Sequence, residues 1–207
     1  MEPVSKRLKE HYEKAFSEFG ASSRGVDWGN DEDLLLRYDN MLSVARQEPS
    51  VSVSMLDVGC GYGGLLDHVM AQDIKIEYSG IDVAENMIAH AKTHHETGTF
   101  YLGDALHYPF DLPFDYVVCN GILTQKLDAT IREMDQFANS LIGRMFELCN
   151  NGIAFNIMSD KVNFMAENLY YRSPVEMLSF CLDNLSSKVK VDHAYPLFEY
   201  TVYVFRD

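Results

Sequence analysis

Three aspartates, Asp57, Asp82 and Asp104, each close a short apolar run, and they are the residues best placed to do chemistry. A carboxylate accepts hydrogen bonds and attracts cations. Asp57 ends the run Val51-Ser52-Val53-Ser54-Met55-Leu56, and behind it comes Gly59-Cys60-Gly61-Tyr62-Gly63-Gly64. Leu65-Leu66-Asp67-His68-Val69-Met70 then sets apolar residues at helical spacing. Strand, glycine turn and helix open a nucleotide-binding α/β unit. The glycines let the backbone approach a ligand closely, and the helix start offers unpaired N–H groups. Asp82 ends the second run, Ile74 to Ile81, at 21 residues beyond Gly61, where a carboxylate can accept two ribose hydroxyls.

Two cofactor classes fit the turn. Gly59, Gly61 and Gly64 satisfy the dinucleotide pattern, whereas Gly59, Gly61 and Gly63 satisfy G-x-G-x-G. Asp57 separates them. A pyrophosphate on this turn would be repelled by a carboxylate. S-adenosylmethionine carries an ammonium and a sulfonium, which a carboxylate favours. The segment Leu56-Asp57-Val58-Gly59-Cys60-Gly61-Tyr62-Gly63 resembles the first motif of class I S-adenosylmethionine-dependent methyltransferases, and the resemblance extends over roughly residues 50 to 207.

That resemblance implies a set of cofactor-binding residues. Asp57, Gly59, Cys60 and Gly61 hold the methionine end, and Asp82 the ribose. Val83 and Met87 line the adenine side, and Asp104 with the Ala105 backbone faces the adenine amino group. Asn120 and Ile122 sit where the fourth strand ends, the edge at which open α/β sheets bind ligands. In this family N-terminal helices often cover the cleft, which makes Trp28 and Tyr38 candidate lid residues. Both are equally readable as anchors of those helices. The chain has Thr124-Gln125 where relatives often carry an acid–histidine pair, and no Asn-Pro-Pro-Tyr run, which disfavours a nucleobase or protein-amide acceptor.

The elements must present these residues on one edge. Residues 5–19 read as an amphipathic helix through Leu8, Tyr12, Ala15, Phe16 and Phe19. A second helix, capped by Asn30 or Asp31, runs through Leu34, Tyr38 and Leu42 until Pro49. Five βαβ strands follow, the fourth at 114–120 and the fifth at 153–159, with a long helix over 127–149 between them. A helix from Pro174 and two alternating strands near 188–195 and 200–205 complete the chain. The expected fold is a Rossmann-like, seven-stranded open twisted sheet with its last strand antiparallel and helices on both faces. Residues 1–50 form a helical cap and residues 51–207 the catalytic domain.

Acids outnumber bases 31 to 17, for a net charge of −14, and no basic stripe suggests nucleic acid or an anionic membrane. Four scattered cysteines, no C-x-x-C pair and no apolar leader point to a cytoplasmic protein without disulfides. His90, His94 and His95 lie close together, but no accompanying acid makes them a metal motif, and a solvated helix end is the simpler reading.

The expected reaction is methyl transfer to an oxygen or nitrogen of a small-molecule acceptor, a hydroxyl, carboxylate or amine. His107 and His193 are the candidate bases by titration range. Gln125, Tyr170, Tyr171 and Arg172 are candidates for the acceptor or lid side, and Arg172, Lys161 or Arg37 could clamp an anionic acceptor. Two alternatives stand beside this: a cofactor-binding module without turnover, and a nicotinamide-dependent oxidoreductase. Oligomeric state is not legible.

Overall fold

The computed structural model describes residues 3–45 and 52–207. The domain boundary at 50/51, the helix stop at Pro49, the strand start at Val51 and the leader residues Met1 and Glu2 lie outside the described residues.

Two helices come first, α1 (Val4–Phe19) and α2 (Asp31–Leu42). Of the two candidate caps, Asn30 starts α2: its side chain accepts from the Asp33 N–H at 2.8 Å. Then follow β1 (Val53–Val58), α3 (Gly64–Ala71), β2 (Ile76–Asp82), α4 (Glu85–His94), β3 (Thr99–Leu102) and β4 (Phe114–Cys119). The second half holds α5 (Ile131–Glu147), β5 (Cys149–Ser159), the two-residue β6 (Tyr171–Arg172), α6 (Pro174–Asn184), β7 (Lys188–Asp192) and β8 (Glu199–Phe205). The sheet order is β3-β2-β1-β4-β5-β8-β7, with β6 paired to the end of β5. β1 to β5 run parallel, and β8 is antiparallel to both β5 and β7. The expected open sheet with helices on both faces is therefore observed. The short β6 is the strand that periodicity did not show.

Burial on both faces explains the apolar strands. Along β4, Val117 and Cys119 join one core with Leu56, Ile153 and Phe155, while Tyr116 and Val118 join the other with Met55, Tyr78 and Ala154. Burying one such aliphatic or aromatic side chain stabilises the fold by about 1.5–3 kcal/mol.

Two boundaries differ from the sequence reading by four residues. The long helix starts at Ile131, not Leu127, because Leu127 has φ +53° and Thr130 builds a reciprocal cap with Glu133. Strand β5 starts at Cys149, not Ile153. Cys149 pairs with Phe114 and Gly152 with Tyr116, so a bulge absorbs Asn150 and Asn151 inside the strand.

The sheet order reverses between β1 and β4, which diverge to opposite sides. The cleft beyond their carboxyl ends is the place this topology reserves for a ligand.

Candidate active site

A cleft opens at that reversal point. Its floor is the turn after β1 and the ends of β2, β3 and β4; its roof is α1 and the loop before α2. All eleven residues expected to bind the cofactor line it: Asp57, Gly59, Cys60, Gly61, Asp82, Val83, Met87, Asp104, Ala105, Asn120 and Ile122. Trp28 and Tyr38 line it as well, so the cap covers the cleft.

The glycine turn is shaped by its partners. Gly61 has φ +55°, and its N–H donates to Asp82 Oδ2 at 2.9 Å. Ala84 N–H donates to Asp82 Oδ1 at 2.8 Å, so the Asp82 carboxylate is braced by backbone on both oxygens. The carboxylate's remaining lone pairs can accept a ligand hydroxyl. Gly59 has φ +78° and lies against Ile122, leaving no room for a Cβ. Asp104 Oδ1 accepts from Leu106 N–H at 3.0 Å, which fixes the tight turn after β3.

Asp57 is the electrostatic centre of the site. It is buried, and Tyr78 Oη donates to its Oδ2 at 2.7 Å. Its other oxygen, Oδ1, is buried without a hydrogen-bond partner, and so is Asn120 Oδ1. Leaving such an acceptor unpaired costs about 1–3 kcal/mol, which a ligand donor would recover. Burial pushes the Asp57 carboxyl up to about 7; the Tyr78 bond opposes this and the nearby Asp82 charge adds to it. A bound cation reverses that penalty.

The cap is held down on three sides. Arg7 pairs with Glu133 of α5 at 3.0 Å. Glu13 accepts from the Glu85 N–H at the start of α4 at 3.0 Å. Arg37 forks onto Glu199 of β8, with Nε and Nη2 at 3.0 and 2.8 Å from Oε2. The Arg37 guanidinium lies 3.8 Å from the centre of the Trp28 ring, and that ring covers Gly121. Asn156 links the two ends, donating to Glu199 Oε1 and accepting from the Gly121 N–H, both at 2.8 Å. Trp28 thus both lines the cleft and anchors the cap.

Several expected site residues are not brought to the cleft. Tyr170 is fully buried in the core and bonds Asp135 at 2.6 Å, since its ring fills the space under α5. Arg172 bonds Asp135 at 3.0 Å and the Tyr170 hydroxyl at 2.8 Å. Tyr171 accepts the Ala166 N–H and fastens its own loop. Gln125 is buried beside the cleft rather than in its wall, donating to Asp27 at 2.7 Å. His107 is exposed in the turn after Asp104, and His193 is exposed on the β7–β8 connection against Tyr200. Neither histidine lines the cleft. Of the candidate clamps, Lys161 pairs with Asp160 at 3.0 Å, and Arg37 with Glu199.

The sequence reading missed Leu8, Tyr12, Val26, Phe137 and Leu141, which also wall the cleft. Leu8 and Tyr12 belong to the apolar face of α1, a pattern that a plain core contact produces equally. Among the described residues no group of three His, Cys, Asp or Glu side chains could hold a metal. His90 and His94 stack on each other at 3.7 Å. No helix among those residues is long and apolar enough to cross a membrane.

Residues 55–140 match the family described as methyltransferase domain. A Mycobacterium tuberculosis protein assigned to the methyltransferases, Rv1506c, is 30% identical over 153 residues, 73% of this chain and 92% of that protein. The chain belongs to the class I S-adenosylmethionine-dependent methyltransferases. That membership sets aside the nicotinamide alternative. Norajmaline N-methyltransferase of Rauvolfia serpentina is 34% identical over 115 residues, 51% of this chain and 38% of that enzyme. The magnesium protoporphyrin IX methyltransferase of Synechocystis PCC 6803, solved with bound SAH, superposes with a TM-score of 0.71 over 99% of this chain and 100% of its own, at 13% identity. At that identity the likeness speaks for the fold.

Proposed function

We propose that the cleft binds S-adenosylmethionine and that the protein transfers its methyl group to an oxygen or nitrogen of a small-molecule acceptor. The observation that carries this reading is the unpaired, buried Asp57 Oδ1 in a cleft walled by every residue of the expected cofactor set. An ammonium donor there completes the shell of Asp57 and removes the reason for its raised pKa. Asp82 takes the ribose hydroxyls, and Asp104 with the Ala105 backbone takes the adenine edge. The cofactor supplies a methyl group already activated on sulfonium. The protein's part is then to bind, align and exclude water. The apolar roof of Leu8, Val26 and Trp28 serves that exclusion.

The roof also bounds the acceptor. A cleft roofed by the cap suits a cofactor and a small molecule rather than a polypeptide or nucleic-acid strand. Two methyltransferases that resemble this chain, in sequence and in fold, carry small-molecule acceptors in their names.

A thermal-shift series with S-adenosylmethionine, S-adenosylhomocysteine and NAD tests the cofactor assignment, since a ligand of the native state raises the melting temperature. The first two should raise it and NAD should not. No shift with either sulfur nucleoside would sink the assignment.

A further inference from the structure

The carboxyl end of β4 leaves the sheet through a side-chain contact. Its pairing with β5 stops at Cys119 and Phe155. The next residue of β5, Asn156, is buried, and its side chain takes the Gly121 N–H at 2.8 Å. Gly121 has φ +92°, and its carbonyl is held by the Thr124 hydroxyl at 2.6 Å. On either side of Gly121, this turn carries Asn120 and Ile122 into the wall of the cleft. The Trp28 ring lies over Gly121 itself, 3.0 Å from the place a Cβ would occupy.

The orientation of the Asn156 amide decides whether that contact exists. An amide accepts at one end and donates at the other. Its NH2 donates to Glu199 Oε1 at 2.8 Å, which leaves its oxygen for Gly121. A carboxylate only accepts, so Glu199 allows just this orientation. Arg37 only donates, and its fork reaches both Glu199 oxygens. A buried ion pair is by itself weak grounds for stability, because apolar residues of similar volume often serve as well. What apolar residues cannot do is choose the direction of an amide.

We propose that Glu199 is a positioning residue of the cleft: by fixing the Asn156 amide it fixes the Gly121 turn, and with it the places of Asn120 and Ile122 against the cofactor. This rests on the cofactor reading above and deepens it. Glu199→Gln tests the idea at nearly constant volume. The Arg37 donors claim the glutamine oxygen, so the glutamine NH2 meets Asn156. Asn156 must then turn its own oxygen toward that NH2. Its NH2 is left against the Gly121 N–H, donor facing donor, and the turn gives way.

Trp28 is the chain's one tryptophan, so its fluorescence reports the turn without any ligand. In Glu199→Gln, acrylamide should quench the apo protein more strongly than the wild type. Calorimetry well below the melting temperature should show S-adenosylhomocysteine binding about tenfold more weakly. Asn156→Leu removes the amide at similar volume and leaves the Arg37–Glu199 fork in place, so the cap stays pinned. It should raise the quenching as well and weaken S-adenosylhomocysteine by about the same tenfold. A wild-type Kd in Asn156→Leu would overturn the proposal, because the fork alone would then hold the cleft. Wild-type Kd and quenching in folded Glu199→Gln would overturn it too. Failure of S-adenosylhomocysteine to bind the wild type would remove the cofactor reading instead. The quenching would then decide the positioning of the turn alone, and unchanged quenching in both variants would overturn that.

Discussion

Two carboxylates buried deep among the described residues, Glu199 and Asp57, are finished differently. Glu199, under the cap, receives both nitrogens of an Arg37 fork and the Asn156 amide, and is fully enclosed. Asp57, at the floor of the cleft, receives one Tyr78 hydroxyl and keeps one oxygen unpaired. The first arrangement is complete without any other molecule and pins the cap to β8. The second leaves an acceptor still to be filled. Neither burial nor an unpaired atom alone marks a ligand site; at Asp57 both coincide with the wall of a cleft.

The largest effect should come from opening the complete arrangement. Glu199→Ala leaves Arg37 buried and uncompensated, and urea unfolding should show a loss of about 3–5 kcal/mol. A loss under 1 kcal/mol would mean the pair contributes no more than a surface contact. Asp57→Asn should do the opposite to the apo protein, leaving its stability at pH 8 unchanged or raised, while S-adenosylhomocysteine affinity falls about tenfold or more. If Asp57→Asn destabilised the apo protein as much as Glu199→Ala does, the contrast between the two sites would be void.

The pH dependence sharpens the same contrast. The folded-state pKa of Asp57 is raised from 3.8 to about 7, so its contribution to stability is full below the ordinary aspartate range and fades as the pH climbs through about 7. Ligand binding runs the other way, because the ionised form holds the cation. Calorimetry between pH 6 and 8 should show S-adenosylhomocysteine binding more tightly at the higher pH in the wild type, with a smaller slope in Asp57→Asn. Smaller again is Tyr78→Phe, which removes one hydrogen bond to the charged form and should cost about 1 kcal/mol of cofactor affinity. Smallest is His107→Ala, an exposed turn residue outside the cleft wall, whose melting temperature should match the wild type within an effect of about 0.5 kcal/mol.

The grouping of the expected cofactor residues around one cleft was legible in the sequence because it is local. Asp57, Asp82 and Asp104 each sit just beyond or at the end of a strand, and parallel strands in a switched sheet bring such ends together. One turn motif and two strand ends therefore sufficed. The cap over the cleft is fastened by pairs distant in sequence: Asp27 with Gln125 at a separation of 98 residues, Arg37 with Glu199 at 162. No period or motif encodes such a pairing. Tyr170 and Arg172 misled for a related reason. An aromatic, basic segment leaving a strand's carboxyl end resembles a binding loop, but here β6 turns those side chains onto Asp135 and into the core. The N-terminal cap fell between these cases: its helices were legible, and the cleft they cover was known only through the family resemblance.

The Arg37–Glu199 fork also fixes an order in time. A ribosome adding about 5–20 residues per second needs roughly 8 to 30 seconds to travel the 162 residues between the two partners. Throughout that interval Arg37 has emerged and its counter-ion does not yet exist. The nascent α2 must therefore wait, undocked on this side, while the parallel strands of the sheet are synthesised. The cap, translated before the sheet it covers, is among the last parts of the molecule to close.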